Sequence, residues 1–265
     1  MKMPVYFISH GGGPWPFMPE ALQSNQALAA SLRDIPTQIG QRPSAIVMVS
    51  AHWETPDAFK VMTHPHPPML YDYYGFPENT YQLQYPAPGS PALARRITQL
   101  LQTAQLPTEP DHNRGYDHGA FVPLFVMYPD ANIPVVQVSI LNHYSPEAHM
   151  ALGRALAPLR DENILIIGSG LSYHNLRQIW GGGSEASAQF DAWLQQAIVQ
   201  GPVEQRASQL QNWAAAPAAR LAHPREDHLI PLMVAAGAAE HDPATCVYYE
   251  TTAFSGITAS SFRFG

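Results

Sequence analysis

The strongest constraint in this chain is an alternation, in which apolar runs of strand length are followed again and again by segments with a helical apolar period. That pattern predicts an α/β fold. Strands are expected at Val5 to Ser9, Ala45 to Ser50, Pro134 to Ile140 and Asn163 to Gly168, with weaker ones near Phe59 to Thr63, Thr245 to Glu250 and Ser261 to Phe264. Helices are expected over Pro19 to Arg33, Ser90 to Thr103, Gly119 to Met127, Pro146 to Leu159, Glu185 to Gln200, Val203 to Trp213 and Asp227 to Ala239. Ser90-Pro91 is a good helix start, because the hydroxyl caps a free N–H and Pro at the first helical position lacks one. The expectation is a single domain over residues 1–265 with a central mixed, largely parallel sheet flanked by helices. Residues 64–89, rich in Pro and Tyr and without periodicity, form an irregular excursion from that sheet, and residues 181–217 are a candidate second one.

At 265 residues and 46% hydrophobic content the chain can bury a sizeable core. Charged residues are only 13%, with 14 basic against 21 acidic for a net charge of −7, which argues against nucleic-acid binding. Low charge is compatible with a homo-oligomer. No apolar run approaches the roughly 18 residues of a membrane span. The opening stretch to His10 holds too little apolar sequence for an export signal, and the single cysteine, Cys246, suits a reducing compartment. A cytoplasmic protein is expected. The excess lies in 12 histidines and 26 prolines, the latter about twice the average share of roughly 5%.

In open α/β sheets the ligand groups gather at the carboxyl ends of the strands. His10 follows the first expected strand by one residue, His52 the second by two, His143 the third by three and His174 the fourth by six. His228 stands at the head of an apolar helix in Pro224-Arg225-Glu226-Asp227-His228-Leu229-Ile230-Pro231-Leu232, and His118 follows a turn in Gly115-Tyr116-Asp117-His118-Gly119. Convergent imidazoles with carboxylates close by suit a divalent transition metal, either zinc with an open position or Fe(II) in a two-histidine, one-carboxylate face. Spacing leaves both open. His64, His66, His112, His149, His223 and His241 read as structural residues in loops or on helix surfaces.

Two weaker motifs are set aside. His10-Gly11-Gly12-Gly13 lacks both the Lys-Ser/Thr of a P-loop and the spacing of a dinucleotide fold. Gly168-Ser169-Gly170-Leu171-Ser172 departs from the G-x-S-x-G elbow of serine hydrolases.

In chain order the motifs are Ser9-His10-Gly11-Gly12-Gly13, Ser50-Ala51-His52-Trp53, Tyr74-Gly75-Phe76-Pro77, Tyr85-Pro86-Ala87-Pro88-Gly89-Ser90-Pro91, Asp117-His118-Gly119, Ser172-Tyr173-His174-Asn175-Leu176 and Asp227-His228-Leu229-Ile230-Pro231-Leu232. Together they resemble the class III extradiol ring-cleavage dioxygenases, in the bacterial DOPA 4,5-dioxygenase-like branch related to the protocatechuate 4,5-dioxygenase catalytic subunit. The resemblance spans nearly the whole chain.

The resemblance implies metal ligands at His10, His52 and His228. It also implies an acid/base at His174, which is an extra ligand in zinc-bound members, and an active-site histidine at His118 that orients substrate or dioxygen. One divalent metal per chain follows, Fe(II) for oxygenase activity and Zn(II) in the isolated protein. The implied partners are a small aromatic diol and dioxygen, and the implied product is a muconic semialdehyde. The tyrosines between Tyr71 and Tyr85 are candidates to wall the substrate, or to pack the loop itself. There are two departures. Protocatechuate enzymes use a glutamate as third ligand, where this chain offers His228 preceded by Glu226 and Asp227. The plant pigment branch carries a Pro-containing stretch after the histidine matching His174, where Asn175-Leu176-Arg177 stands here, which speaks against a dedicated pigment enzyme. A zinc-dependent hydrolase using the same histidines, and a non-catalytic binding protein on the same fold, are the alternatives.

Overall fold

All five residues from Val5 to Ser9 are buried, as expected of a strand covered by helices on both faces. The computed structural model describes residues 2–265. Its strands are β1 (Val5–Ser9), β2 (Ala45–Thr55), β3 (Phe59–Met62), β4 (Thr108–Asp111), β5 (Val135–Leu141), β6 (Ile164–Gly170), β7 (Ala244–Ala253) and β8 (Ile257–Phe264). They form one eight-stranded sheet in the order β4-β3-β5-β2-β6-β1-β8-β7. The centre, β5-β2-β6-β1, is parallel. At one side β8 and β7 run antiparallel, and at the other β3 pairs antiparallel with β5 and parallel with β4. The sheet is therefore mixed and mostly parallel, flanked by helices, as the alternation predicts.

The apolar helices His118–Met127 and Ile230–Ala238 cover opposite faces. Adjacent residues of a strand point to opposite sides. A Cβ on Gly168 would meet the Pro231 backbone, whereas the Ser169 hydroxyl reaches the backbone of Gly119.

Several elements differ from expectation. β2 runs on to Thr55, so His52 lies inside the strand and not beyond it. Its ladder with β6 ends at Ser50, and the stretch of β2 from Val49 to Glu54 is matched by only Val138 to Ile140 of β5. This bulge turns His52 off the ladder. β4, Thr-Glu-Pro-Asp, was not expected, because a short edge strand with a proline and two acids carries no apolar signal. The first expected helix is two, Pro19–Ser24 and Gln26–Ile39, and the second ends at Gly40 in the left-handed conformation that glycine tolerates. The expected Asp227 to Ala239 helix starts only at Ile230, so His228 sits in the turn before it. The second candidate excursion is largely helical, with Ser184–Gln195 and Val203–Gln211.

Candidate metal centre

Each histidine is fixed first by its backbone. His10 follows β1, and its N–H donates to Gly170 O at the end of β6 (3.2 Å), while Trp15 Nε1 donates to His10 O (2.8 Å). The turn holding His228 is tied to the same strand end, since Leu171 N–H donates to His228 O (3.0 Å). That approach needs Gly170: a Cβ there would lie 2.1 Å from His228 O. The backbone N–H of His174 donates to Ala222 O (3.0 Å). Asp117 caps the helix His118–Met127 by accepting from Ala120 N–H (3.1 Å), and it accepts a second bond from the Ser50 hydroxyl (2.7 Å). Arg114 donates to the Asp117 carboxylate and to His52 O (3.1 Å), so one ion-paired guanidinium ties the backbone of His52 to the residue that caps the helix opened by His118.

The five histidines converge, with Asp227 among them. His10, His52 and His118 bring ligand atoms within 4.8 Å of one another, and so do His174, Asp227 and His228. The two groups adjoin: the His228 ring lies 5.2 Å from that of His10 and 4.9 Å from that of His52. His52 and His118 are 4.0 Å apart, and the Nε2 atoms of His10 and His52 only 3.2 Å.

Proton positions follow from the outward partners. Ser169 Oγ donates to Gly119 O (2.5 Å), so toward His10 Nδ1 at 3.1 Å it can only accept. His10 Nδ1 therefore carries the proton. Carboxylates face the Nδ1 atoms of His118 (Asp72, 2.7 Å), His52 (Asp72, 3.3 Å) and His228 (Asp227, 2.8 Å), and an ionised carboxylate only accepts. Four imidazoles thus keep Nδ1–H outward and aim bare Nε2 lone pairs inward, the arrangement in which histidine binds metal.

Electrostatics point the same way. Burial, reinforced by the neighbouring imidazoles, holds His10 and His228 well below the ordinary histidine value and brings His52 down to about 4. Burial acts to raise Asp72, but the hydrogen bonds it accepts from His118, with the His52 imidazole close by, outweigh this and hold it at about 2. Asp227 is likewise raised by burial and more strongly lowered by the imidazoles of His174 and His228. His10, His52 and His228 are therefore neutral, beside two ionised carboxylates. Among the described residues neither carboxylate has an Arg or Lys partner, and Asp227 Oδ1 is buried without a hydrogen bond. A divalent cation matches this donor set in charge and in lone pairs.

Other expectations fare differently. His143 is exposed, accepts from Ser145 N–H (3.1 Å) and stays outside the cluster. His149 and His223, read as loop or surface residues, are fully buried. Nε2 of His149 accepts from Leu141 N–H (2.9 Å), and Nε2 of His223 donates to Ser172 O (2.9 Å). Among the tyrosines, Tyr73 packs edge-on to His118 at 5.9 Å, Tyr74 is 91% exposed, and Tyr85 is buried against Tyr116 away from the cluster. The sequence reading missed Asp72 and Ser169 as partners of the site. A lone acid amid the aromatic residues 71–76 was the available signal for the first.

An open, mostly parallel sheet whose strand ends gather imidazole donors and two uncompensated carboxylates defines an α/β protein able to hold a metal ion. The chain belongs to the family of the catalytic LigB subunit of aromatic ring-opening dioxygenase, which matches residues 5–265. It is 41% identical over 242 residues to a 4,5-DOPA dioxygenase extradiol of Beta vulgaris, covering 89% of this chain and 86% of that one. It is 37% identical over 272 residues to the 4,5-DOPA dioxygenase extradiol of Escherichia coli K12, covering 100% and 95%. Dioxygenase tasH of Hapsidospora irregularis is 35% identical, covering 99% and 85%. The crystal structure of an uncharacterised protein from Escherichia coli K12 matches the fold with a TM-score of 0.79 and 34% identity, covering both chains completely. No helix among the described residues is long and apolar enough to cross a membrane.

Proposed function

We propose that this chain is a metal-dependent extradiol dioxygenase that opens a catechol-type ring beside its diol to give a muconic semialdehyde. The carrying observation is the set of inward Nε2 lone pairs on His10, His52, His118 and His228, each with its Nδ1 proton committed outward. In this reading His10, His52 and His228 hold one divalent metal, Fe(II) for oxygenase activity, and Zn(II) binds the same residues in isolated protein. When bound, the metal supplies a Lewis-acid centre that makes the catechol hydroxyls acidic and lets ring and dioxygen react side by side.

The protein's own groups do the rest. His174 is reachable from solvent, with 15% of its side chain exposed, and it takes the catechol proton and returns it as the ring opens. Asp227 Oδ1, 3.7 Å from His174 Nδ1, balances the imidazolium formed. His118, once its Nε2 has taken the second catechol proton, would stabilise negative charge developing on oxygen while Asp72 balances it from behind. Tyr73 walls the side of His118. The half-buried Cys246, held as a free thiol, supports a cytoplasmic setting.

The test is anaerobic reconstitution of metal-free protein with Fe(II), then oxygen and a panel of catechols including DOPA and protocatechuate. Oxygen uptake with a yellow product, lost in His52→Ala and His174→Ala, is expected. No uptake with any catechol, from protein that binds zinc tightly, would overturn the proposal and favour a zinc-dependent hydrolase, for which a histidine-rich donor set is equally suited.

A further inference from the structure

Asp72 belongs to the stretch between β3 and the helix Pro91–Thr103, whose only regular element is the short 3-10 turn Glu78–Gln82. Its carboxylate meets two imidazoles from two different elements. Oδ1 accepts from His118 Nδ1–H (2.7 Å) and from the His118 backbone N–H (3.0 Å), and Oδ2 lies 3.3 Å from His52 Nδ1. His52 rides on the bulged end of β2, and His118 opens the helix His118–Met127. Asp72 is the sole carboxylate within ion-pair distance of either ring among the described residues.

We infer that Asp72 is a positioning residue for the metal centre, its one carboxylate setting both the tautomer and the facing of His52 and His118. The inference rests on the metal-binding reading of His52 and on the active-site role proposed for His118. A neutral imidazole has one N–H. With a purely accepting oxygen at each Nδ1, both rings place that proton outward and both Nε2 lone pairs point to the centre. Without the carboxylate, the rings lie 4.0 Å apart with no shared partner, and either can turn its N–H inward and cancel a donor. The clamp also couples the centre to the irregular segment. Tyr71 and Tyr73 flank Asp72, and Tyr73 packs on His118, so the loop must be seated for both histidines to present their lone pairs.

Two readouts test this without oxygen or catechol. In metal-free protein carrying 15N-labelled histidine, long-range 1H–15N spectra report which ring nitrogen is protonated. His52 and His118 are expected as Nδ1–H tautomers, and an Nε2–H form for either ring overturns the inference even if no variant folds. The second is Zn2+ affinity by competition with a chromophoric chelator. Asp72→Asn, whose amide keeps one accepting oxygen but faces the other ring with N–H2, is expected to bind Zn2+ about 10–100-fold more weakly. It should also show a mixed tautomer at His52 or His118. A folded Asp72→Asn protein with unchanged tautomers and Zn2+ affinity within twofold of the parent overturns it. Should the Fe(II) protein cleave no catechol while Asp72→Asn still weakens Zn2+ binding, the positioning role stands and the ring-cleavage reading falls.

Discussion

His174 and His228 stack face to face, their ring centroids 3.4 Å apart and their planes inclined by 22°, with the Asp227 carboxylate against the Nδ1 edge of both. One carboxylate thereby serves a proposed ligand and a proposed acid/base at once. Stacked imidazoles cannot both be charged cheaply, so a proton taken up by His174 requires the negative charge of Asp227 and a neutral His228.

Asp227→Asn removes that charge while keeping the shape. The amide retains one accepting oxygen for His228 Nδ1–H but offers His174 no counter-charge. Turnover is expected to fall about 10–100-fold with KM little changed, because the loss falls on the protonated state and not on substrate contact. Steady-state kinetics of the Fe(II) protein check this, and a kcat within twofold of the parent would remove Asp227 from the proton path.

Ser169 joins three elements through one hydroxyl. It stands on β6, donates to Gly119 O at the start of a helix and accepts from His10 after β1. Ser169→Ala leaves a buried carbonyl and a buried imidazole N–H without partners, which costs about 1–3 kcal/mol each. The expected outcome is a clear fall in the denaturation midpoint of metal-free protein together with weaker Zn2+ binding. Lower stability with unaltered Zn2+ affinity would show that His10 needs no help from Ser169.

How much of this was legible in the sequence depends on how far each partner lies along the chain. Val5–Ser9 was readable because a strand covered on both faces carries an unbroken apolar run, here Val5 to Ile8, up to Ser9. His10, His118 and His174 were readable because strand and helix ends are marked by periodicity, and the sheet carries such ends to one edge. His52 and His228 were read into the same cluster although β2 runs past the first and the helix begins only after the second. Asp72 was not, because its segment has no period and its partner His118 is 46 residues away. β4 was not, because an exposed edge strand demands no apolar residues. His149 and His223 were misread as surface residues, since neither the Leu141 N–H that donates to His149 nor the Ser172 carbonyl that His223 reaches leaves any sequence signal.

Gly170→Ala tests the close approach that seats His228. The added methyl would stand 2.1 Å from His228 O, a backbone atom held by Leu171 N–H, so the turn must move. Overpacking of this kind costs about 1–3 kcal/mol. The displaced turn should lower Zn2+ affinity more than the global unfolding free energy falls. Urea denaturation and chelator competition on the same protein separate the two effects. Parent-like Zn2+ affinity would mean that His228 is positioned by Asp227 alone.

The buried core histidines give the protein an acid limit independent of the metal. Burial lowers His149 to about 4 and His223 to about 4, while in the unfolded chain each titrates near the ordinary histidine value of about 6.5. Between those values the unfolded state binds protons that the folded state refuses, so unfolding is favoured as pH falls. Their contribution is complete above about pH 6.5, is lost progressively down to about pH 4 and is constant below, at most about 3 kcal/mol for each residue. Urea denaturation of metal-free protein from pH 7.5 to 4 should show this decline. His149→Gln, whose amide can accept from Leu141 N–H and donate to Ser145 O in place of the imidazole, should take up about one proton fewer on unfolding near pH 5. An unchanged pH slope in that variant would mean that His149 is protonated in the folded protein and that burial does not set this limit.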